Sequence, residues 1–322
     1  MMNLSRYTAN DAREWDEFVT ASKNGTFLFR RGYMDYHSQR FCDHSLMFRN
    51  EKDQLIAVLP ANEADGMLYS HQGLTYGGLI LAKRIHVSEV GEIFDAIRQY
   101  LRSNGMTELV YKCVPHIYHT LPAEEDEYWL WCNGATLAVC NISSTLPLNI
   151  PQDEYKKMLR ATKLSDYNQL LRRHYTIQWD APLEAFWPLL TDNLQRSHQV
   201  TPVHTLEEMT RLKAAFPKEI ICVTALNENG VVEAGALLYF TATAVHTQYM
   251  SASVEGKQSN ALDFLIISII NQLRQSATQR YFDFGHSNEQ AGQILNAGLI
   301  AQKEGFGARG VVYKQYILPP SL

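Results

Sequence analysis

The sequence predicts an α/β (α+β) protein made of two similar units in tandem. Three observations carry this: an amphipathic helical pattern that recurs at a fixed offset, strand-like runs in the same order around each copy, and a proline-bracketed divider near mid-chain. Val90, Ile93, Phe94, Ile97 and Leu101 follow the i, i+3, i+4, i+7, i+11 spacing of one helix face. Leu262, Leu265, Ile266, Ile269 and Leu273 repeat it, each 172 positions later (90 to 262 and so on). Burying such a face contributes roughly 1.5–3 kcal/mol per large side chain before entropy is counted, so each helix needs a sheet to cover it.

Strand candidates precede each helix: residues 45–49, 54–60 and 67–72 in the first half, and 219–226, 231–240 and 244–253 in the second. Polar turns at 51–53 and 227–230 separate the first two strands of each set. After the helices, 108–112 lies over 280–284 at the same offset. Further strand-like segments follow at 128–132 and 136–144, or at 310–318. Pro147 and Pro151 bracket Leu148-Asn149-Ile150, which divides the chain into units 1–148 and 149–322. Beyond the divider a helical run is expected over 152–174, then helices over 180–199 and 206–216. The first of these carries Lys156, Lys157, Arg160, Lys163, Arg172 and Arg173, a basic side suited to phosphates or to a solvated, salt-laced surface.

Composition narrows the function classes. With 29 Lys+Arg against 34 Asp+Glu among 322 residues, the formal charge is −5, which argues against a constitutive DNA binder. No run approaches the ~18 apolar residues of a membrane span. The acidic and basic side chains between Asp11 and Glu17 stand where a signal peptide needs an apolar core. Five scattered cysteines suggest neither a disulfide framework nor a thiolate zinc site, so a reducing, cytoplasmic setting is expected.

Several motifs mislead. Asp283-Phe284-Gly285 spells the kinase triplet and Gly305, Gly307, Gly310 and Val312 fit a glycine-loop pattern, but in the wrong order for a kinase, and no catalytic-loop motif is present. The same glycines follow a helix and precede a strand, the reverse of a dinucleotide fingerprint. His116 and His119 lack a third ligand of matching pattern, and no metal is expected.

What remains is a polar junction where strand 281–284 runs into Gly285, His286, Ser287, Asn288 and Glu289, after which Ile294, Leu295 and Leu299 are expected to resume an apolar helical face. Ser287 is the expected N-cap of the following helix. Substrates of α/β proteins also collect at strand C-terminal ends, and His286, Asn288 and Asn296 are the substrate-binding candidates.

The run Phe282-Asp283-Phe284-Gly285, followed by Asn288, Glu289, Asn296, Gly298, Leu299, Lys303, Glu304, Gly305, Phe306, Gly307 and Ala308, resembles the C-terminal end of Fem-type and related GNAT-fold acyltransferases. Tyr111 to Pro115, with Ile117, Tyr118 and His119, is similar to the first half of the same group. The resemblance implies two tandem GNAT-like units, each a mixed, mostly antiparallel sheet flanked by helices. It also implies acyl transfer to a small or peptide-like amine, either from acetyl-CoA or another acyl-CoA or from aminoacyl-tRNA. Lys303 matches the lysine of the Fem-type F-K-x-G-F run, with Gln302 in place of its aromatic, and would steady an oxyanion or phosphate. Asp283 or Glu289 would accept or relay the amine proton. Ala301 stands where many acetyl-CoA enzymes have a tyrosine acid. Ser253, Gly256, Lys257, Ser259 and Asn260 occupy the position of the carrier-binding turn. A catalytically silent ligand-binding protein on the same fold, and an aminoacyl-tRNA-dependent transferase acting on a cell-wall precursor, are the alternatives.

Overall fold

The computed structural model describes residues 2–321. Contacts group the chain into two units. Unit 1 holds the chain up to Ile142, Asn288–Ile294 and the chain from Val312 on, and unit 2 holds Ser143–Ser287 and Leu295–Val311. Each is a mixed α/β unit.

In unit 1, strands Asn3–Arg6, Leu46–Arg49, Leu55–Leu59 and Ile80–Leu81 form an antiparallel sheet in that order. A second set runs Cys42–Asp43, Asn62–Ala64, Met67–Tyr69, Leu109–Lys112 and the end of Arg309–Leu318. Helix Val87–Ser103 lies between Met67–Tyr69 and Leu109–Lys112, which pair in parallel. Its predicted face, Val90, Ile93, Phe94, Ile97 and Leu101, is wholly buried.

Unit 2 repeats the plan. Thr176–Trp179, Ile220–Leu226, Val232–Phe240 and Ala244–Ala252 form an antiparallel series. Ala244–Ala252 then pairs in parallel with Tyr281–His286, which is antiparallel to the end of Thr136–Pro147. Helix Ala261–Ser276 lies between the parallel partners, with Leu265, Ile266, Ile269 and Leu273 buried and Leu262 half-buried. The strand, helix, parallel-strand crossover is thus common to both units, as the 172-residue offset implied.

Three local expectations are corrected. Residues 128–132 are not a strand but the end of helix Glu125–Cys132. Glu125, Asp126 and Glu127 fill its first turn, where negative charge offsets the helix dipole, and Leu130 is its buried anchor. The single helix over 152–174 is two, Gln152–Met158 and Ala161–Arg172, because Leu159 and Arg160 are extended and the Arg160 N–H donates to Gly305 O at 2.9 Å. Lys163 is removed from the basic face: it is buried, paired with Asp263 at 2.7 Å.

The third correction concerns the polar junction. The strand runs on to His286, and the chain then makes two-residue strands, Asn288–Glu289 and Ile294–Leu295, around a 3-10 turn. Ile294 and Leu295 are exposed rather than on a helix face. Helix Ala297–Glu304 is capped not by Ser287 but by Asn296, whose Oδ1 accepts from the Leu299 N–H at 3.0 Å. Asn296→Ala is therefore expected to cost about 1 kcal/mol in urea unfolding, the usual value of an N-cap, whereas Ser287→Ala should leave that helix unchanged.

Candidate active site

The site is built by a pair of strands that separate. Ala244–Ala252 and Tyr281–His286 are in register over only three residues, Ala244 with Tyr281, Val245 with Phe282, and His246 with Asp283. Beyond His246 the two strands no longer pair, so a wedge opens directly after this register position. On its other side, Tyr281–His286 also loses register against Thr136–Pro147 between Asp283 and His286, an irregularity of the kind that re-aims side chains beside functional sites.

Asp283 is fully buried at the point of separation. Its Oδ1 accepts from Ser143 Oγ and from Thr145 Oγ1, the latter at 3.0 Å, and its Oδ2 lies 2.8 Å from His246 Nδ1. Thr145 and His246 are its register partners on the two adjacent strands, so Asp283 is clasped within one row across the sheet. The alternate residues Val245 and Phe282 join the apolar core on the opposite face, packed with Phe264 and Ile266 of helix Ala261–Ser276.

Lys303 is buried on helix Ala297–Glu304, and its Nζ donates to Gly285 O at 2.8 Å and His286 O at 2.7 Å. Burial lowers the ammonium to about 8, against the opposing pull of the Asp283 carboxylate. The lysine thus ties the helix to the two residues with which the strand ends. Gly285 there has φ +73°, a left-handed conformation that glycine tolerates without strain.

A cleft of about 440 Å³ lies in unit 2. Met250, Ser251 and Ala252 of the diverging strand form one wall, and Leu299 and Gln302 line it from helix Ala297–Glu304. Gly256, Lys257 and Asn260 border it, so three of the five expected carrier residues meet there. The other two are engaged elsewhere: Ser253 Oγ accepts from the Gly256 N–H at 2.9 Å, and Ser259 Oγ donates to Glu233 at 2.8 Å. The expected turn is wound into helix Val254–Ser259, and the Gly256 and Lys257 amides are consumed by Ser253. Lys257 Nζ donates to Asn193 Oδ1. Ser251 borders the cleft, and its buried Oγ has no hydrogen-bond partner among the described residues.

The remaining candidates are dispersed. His286 lies at the strand end, its carbonyl held by Lys303. Asn296 is the helix cap. Asn288 and Glu289 belong to unit 1, where Asn288 Oδ1 accepts from the Ile142 N–H. Sequence reasoning missed His246, Ser143 and Thr145. The one available signal was a histidine inside a strand that is otherwise uncharged and mostly apolar or hydroxylic. No group of three or more His, Cys, Asp or Glu that could hold a metal ion occurs among the described residues. No helix among them is long and apolar enough to cross a membrane.

Comparison with solved structures places this geometry in a known fold. A crystal structure of FemX matches with a TM-score of 0.71 at 12% identity, over 98% of this chain and 97% of that one. L-PGS from Bacillus licheniformis matches with a TM-score of 0.61 at 11% identity, over 96% and 91%. A tandem GNAT protein from the clavulanic acid biosynthesis pathway matches with a TM-score of 0.55 at 11% identity, over 100% and 99%. No protein-family model matches the sequence, nor does any curated protein. The chain has the tandem GNAT/Fem-type fold.

Proposed function

We propose that this chain is an N-acyltransferase of GNAT/Fem type, moving an acetyl or aminoacyl group from its carrier to an amine. The observation that carries the proposal is the separation of Ala244–Ala252 from Tyr281–His286 after His246 and Asp283, with the cleft along the freed part of the strand. A carrier held near Lys257 and Asn260 would lie alongside Met250 to Ala252. Four residue steps of strand, roughly 13 Å at ~3.3 Å each, lead from His246 to Met250, a span that an extended acyl-bearing arm can cover. Unpaired strand backbone and the orphaned Ser251 hydroxyl would hydrogen-bond amide groups of that arm, since a buried polar atom without a partner carries a desolvation cost that a ligand can relieve. Lys303 would act by fixing the Gly285–His286 peptide at the reacting end, and the buried Asp283 by holding His246, Ser143 and Thr145 in place.

One observation favours aminoacyl-tRNA over an acyl-CoA as the carrier. A diphosphate cradle needs several free backbone N–H groups, and the Ser253 hydroxyl already occupies that of Gly256. Lys156, Lys157 and Arg172 on the two helices after the divider, and Arg160 between them, remain exposed and would meet tRNA phosphates. Thermal-shift measurements with acetyl-CoA, a long-chain acyl-CoA and charged tRNA are expected to give a rise of a few °C with one donor, because a ligand that binds only the folded state stabilises it. A tRNA shift should fade as salt is raised. No shift with any donor at saturating concentrations would remove the transferase proposal.

A further inference from the structure

Resting on the acyltransferase reading, we infer that His246 is the general base of this site and that Asp283, Ser143 and Thr145 are positioning residues that set its tautomer. Asp283 sits at 0% exposure with both oxygens occupied and so has no access to a substrate. Two hydroxyls donate to Oδ1. A carboxylate accepts only, so the imidazole nitrogen facing Oδ2 at 2.8 Å must be the donor. His246 in its neutral form therefore carries its proton on Nδ1 and presents a lone pair at Nε2. No residue among those described hydrogen-bonds Nε2.

The surroundings leave that nitrogen approachable. His246 is the last residue of the strand in register with Tyr281–His286, so its ring stands at the apex of the wedge. A side chain at Gly285 would place its Cβ 3.2 Å from His246 Cε1 and 3.9 Å from Nε2, and the glycine keeps that edge of the ring clear. Lys303 holds the Gly285–His286 peptide in place through two carbonyls. In the step assigned here, the amine nitrogen attacks the acyl carbonyl carbon and its proton passes to Nε2. The carbon–sulfur or carbon–oxygen bond to the carrier breaks, and the leaving thiolate or alkoxide takes the proton back from Nε2. The products are an amide and the protonated carrier, with His246 restored.

Two measurements test this separately from the transferase reading. Long-range ¹⁵N–¹H correlation spectra at pH 8, with the His246 signals identified by their absence in His246→Gln, should show the Nδ1–H tautomer in the wild type. In Asp283→Asn, where the carboxamide can turn its NH₂ toward the ring while its oxygen receives the two hydroxyls, the spectrum should switch to Nε2–H. A neutral Nε2–H tautomer in the wild type would overturn the inference whatever the protein catalyses. For turnover, His246→Gln should keep the donor-induced thermal shift within about 1 °C and lose at least 100-fold in acyl transfer; transfer within threefold of wild type would also overturn it. Absence of any donor shift in the wild type counts instead against the transferase reading itself.

Discussion

Asp263→Ala is expected to lower the free energy of unfolding by about 3–5 kcal/mol, because it leaves the Lys163 ammonium buried without its counter-ion. The pair is 2.7 Å apart, and the two side chains are only 7% and 14% exposed. Lys163 Nζ also stands 3.9 Å over the Phe306 ring, and Phe306 is stacked on Phe284. The methylene stem of Lys163 runs against Gly305, where an added Cβ would fall 2.7 Å from Lys163 Cε. Moving the lysine out to water would therefore disturb packed apolar contacts as well as the charge. The double variant Lys163→Met/Asp263→Ala should recover most of the loss, since an apolar chain of similar length needs no counter-ion. Urea unfolding of wild type, both single variants and the double variant measures this as a coupling energy. A loss below about 1 kcal/mol in Asp263→Ala would mean that water reaches the pair. The result also bears on nucleic-acid binding: Lys163 is committed to the core and contributes nothing to a phosphate surface.

The same cluster explains which parts of the site the sequence exposed. Gly305, Phe306 and Gly307 carry the family resemblance, and each has a packing reason: close approach of Lys163, the ring beneath its ammonium, and φ +92° at Gly307. Such positions are recognisable because backbone geometry leaves them few alternatives. The helix faces beginning at Val90 and Leu262 were legible for a related reason, since their whole spacing serves a single buried surface. Residues 128–132 were not, because Tyr128, Trp129 and Trp131 favour strands by composition, while the acidic first turn and the buried Leu130 decide for a helix. The sequence points to Ser287 rather than Asn296 as the helix cap because the intervening pair of two-residue strands is too short to show any period. His246 carried little signal in the sequence. Its meaning depends on being opposite Asp283, 37 residues away, across a parallel pairing that no local pattern encodes.

Stability is expected to rise between pH 7 and pH 9.5, with Lys303 contributing about 2 kcal/mol of that rise. The folded-state value of its ammonium is about 8, below the ordinary 10.5. In the interval between them the unfolded chain binds more protons than the folded one, so raising the pH favours folding. The cause is burial: below pH 8 the fold must hold a desolvated charge, and above it the neutral amine still donates to Gly285 O and His286 O. Lys112 acts in the same direction in unit 1, also at about 8, with its Nζ donating to Leu74 O at 2.7 Å. Cys222 and Cys113 oppose both, because burial raises their thiols and the unfolded chain ionises first above about pH 9. Comparing Lys303→Met with the wild type cancels these other groups. The variant should be weaker overall through its two unserved carbonyls, and its gain from pH 7 to 9.5 should be smaller than the wild-type gain by about 2 kcal/mol. Equal gains in the two proteins would show that Lys303 titrates like an exposed lysine, and that the strand end at Gly285 is not pinned by a buried ammonium.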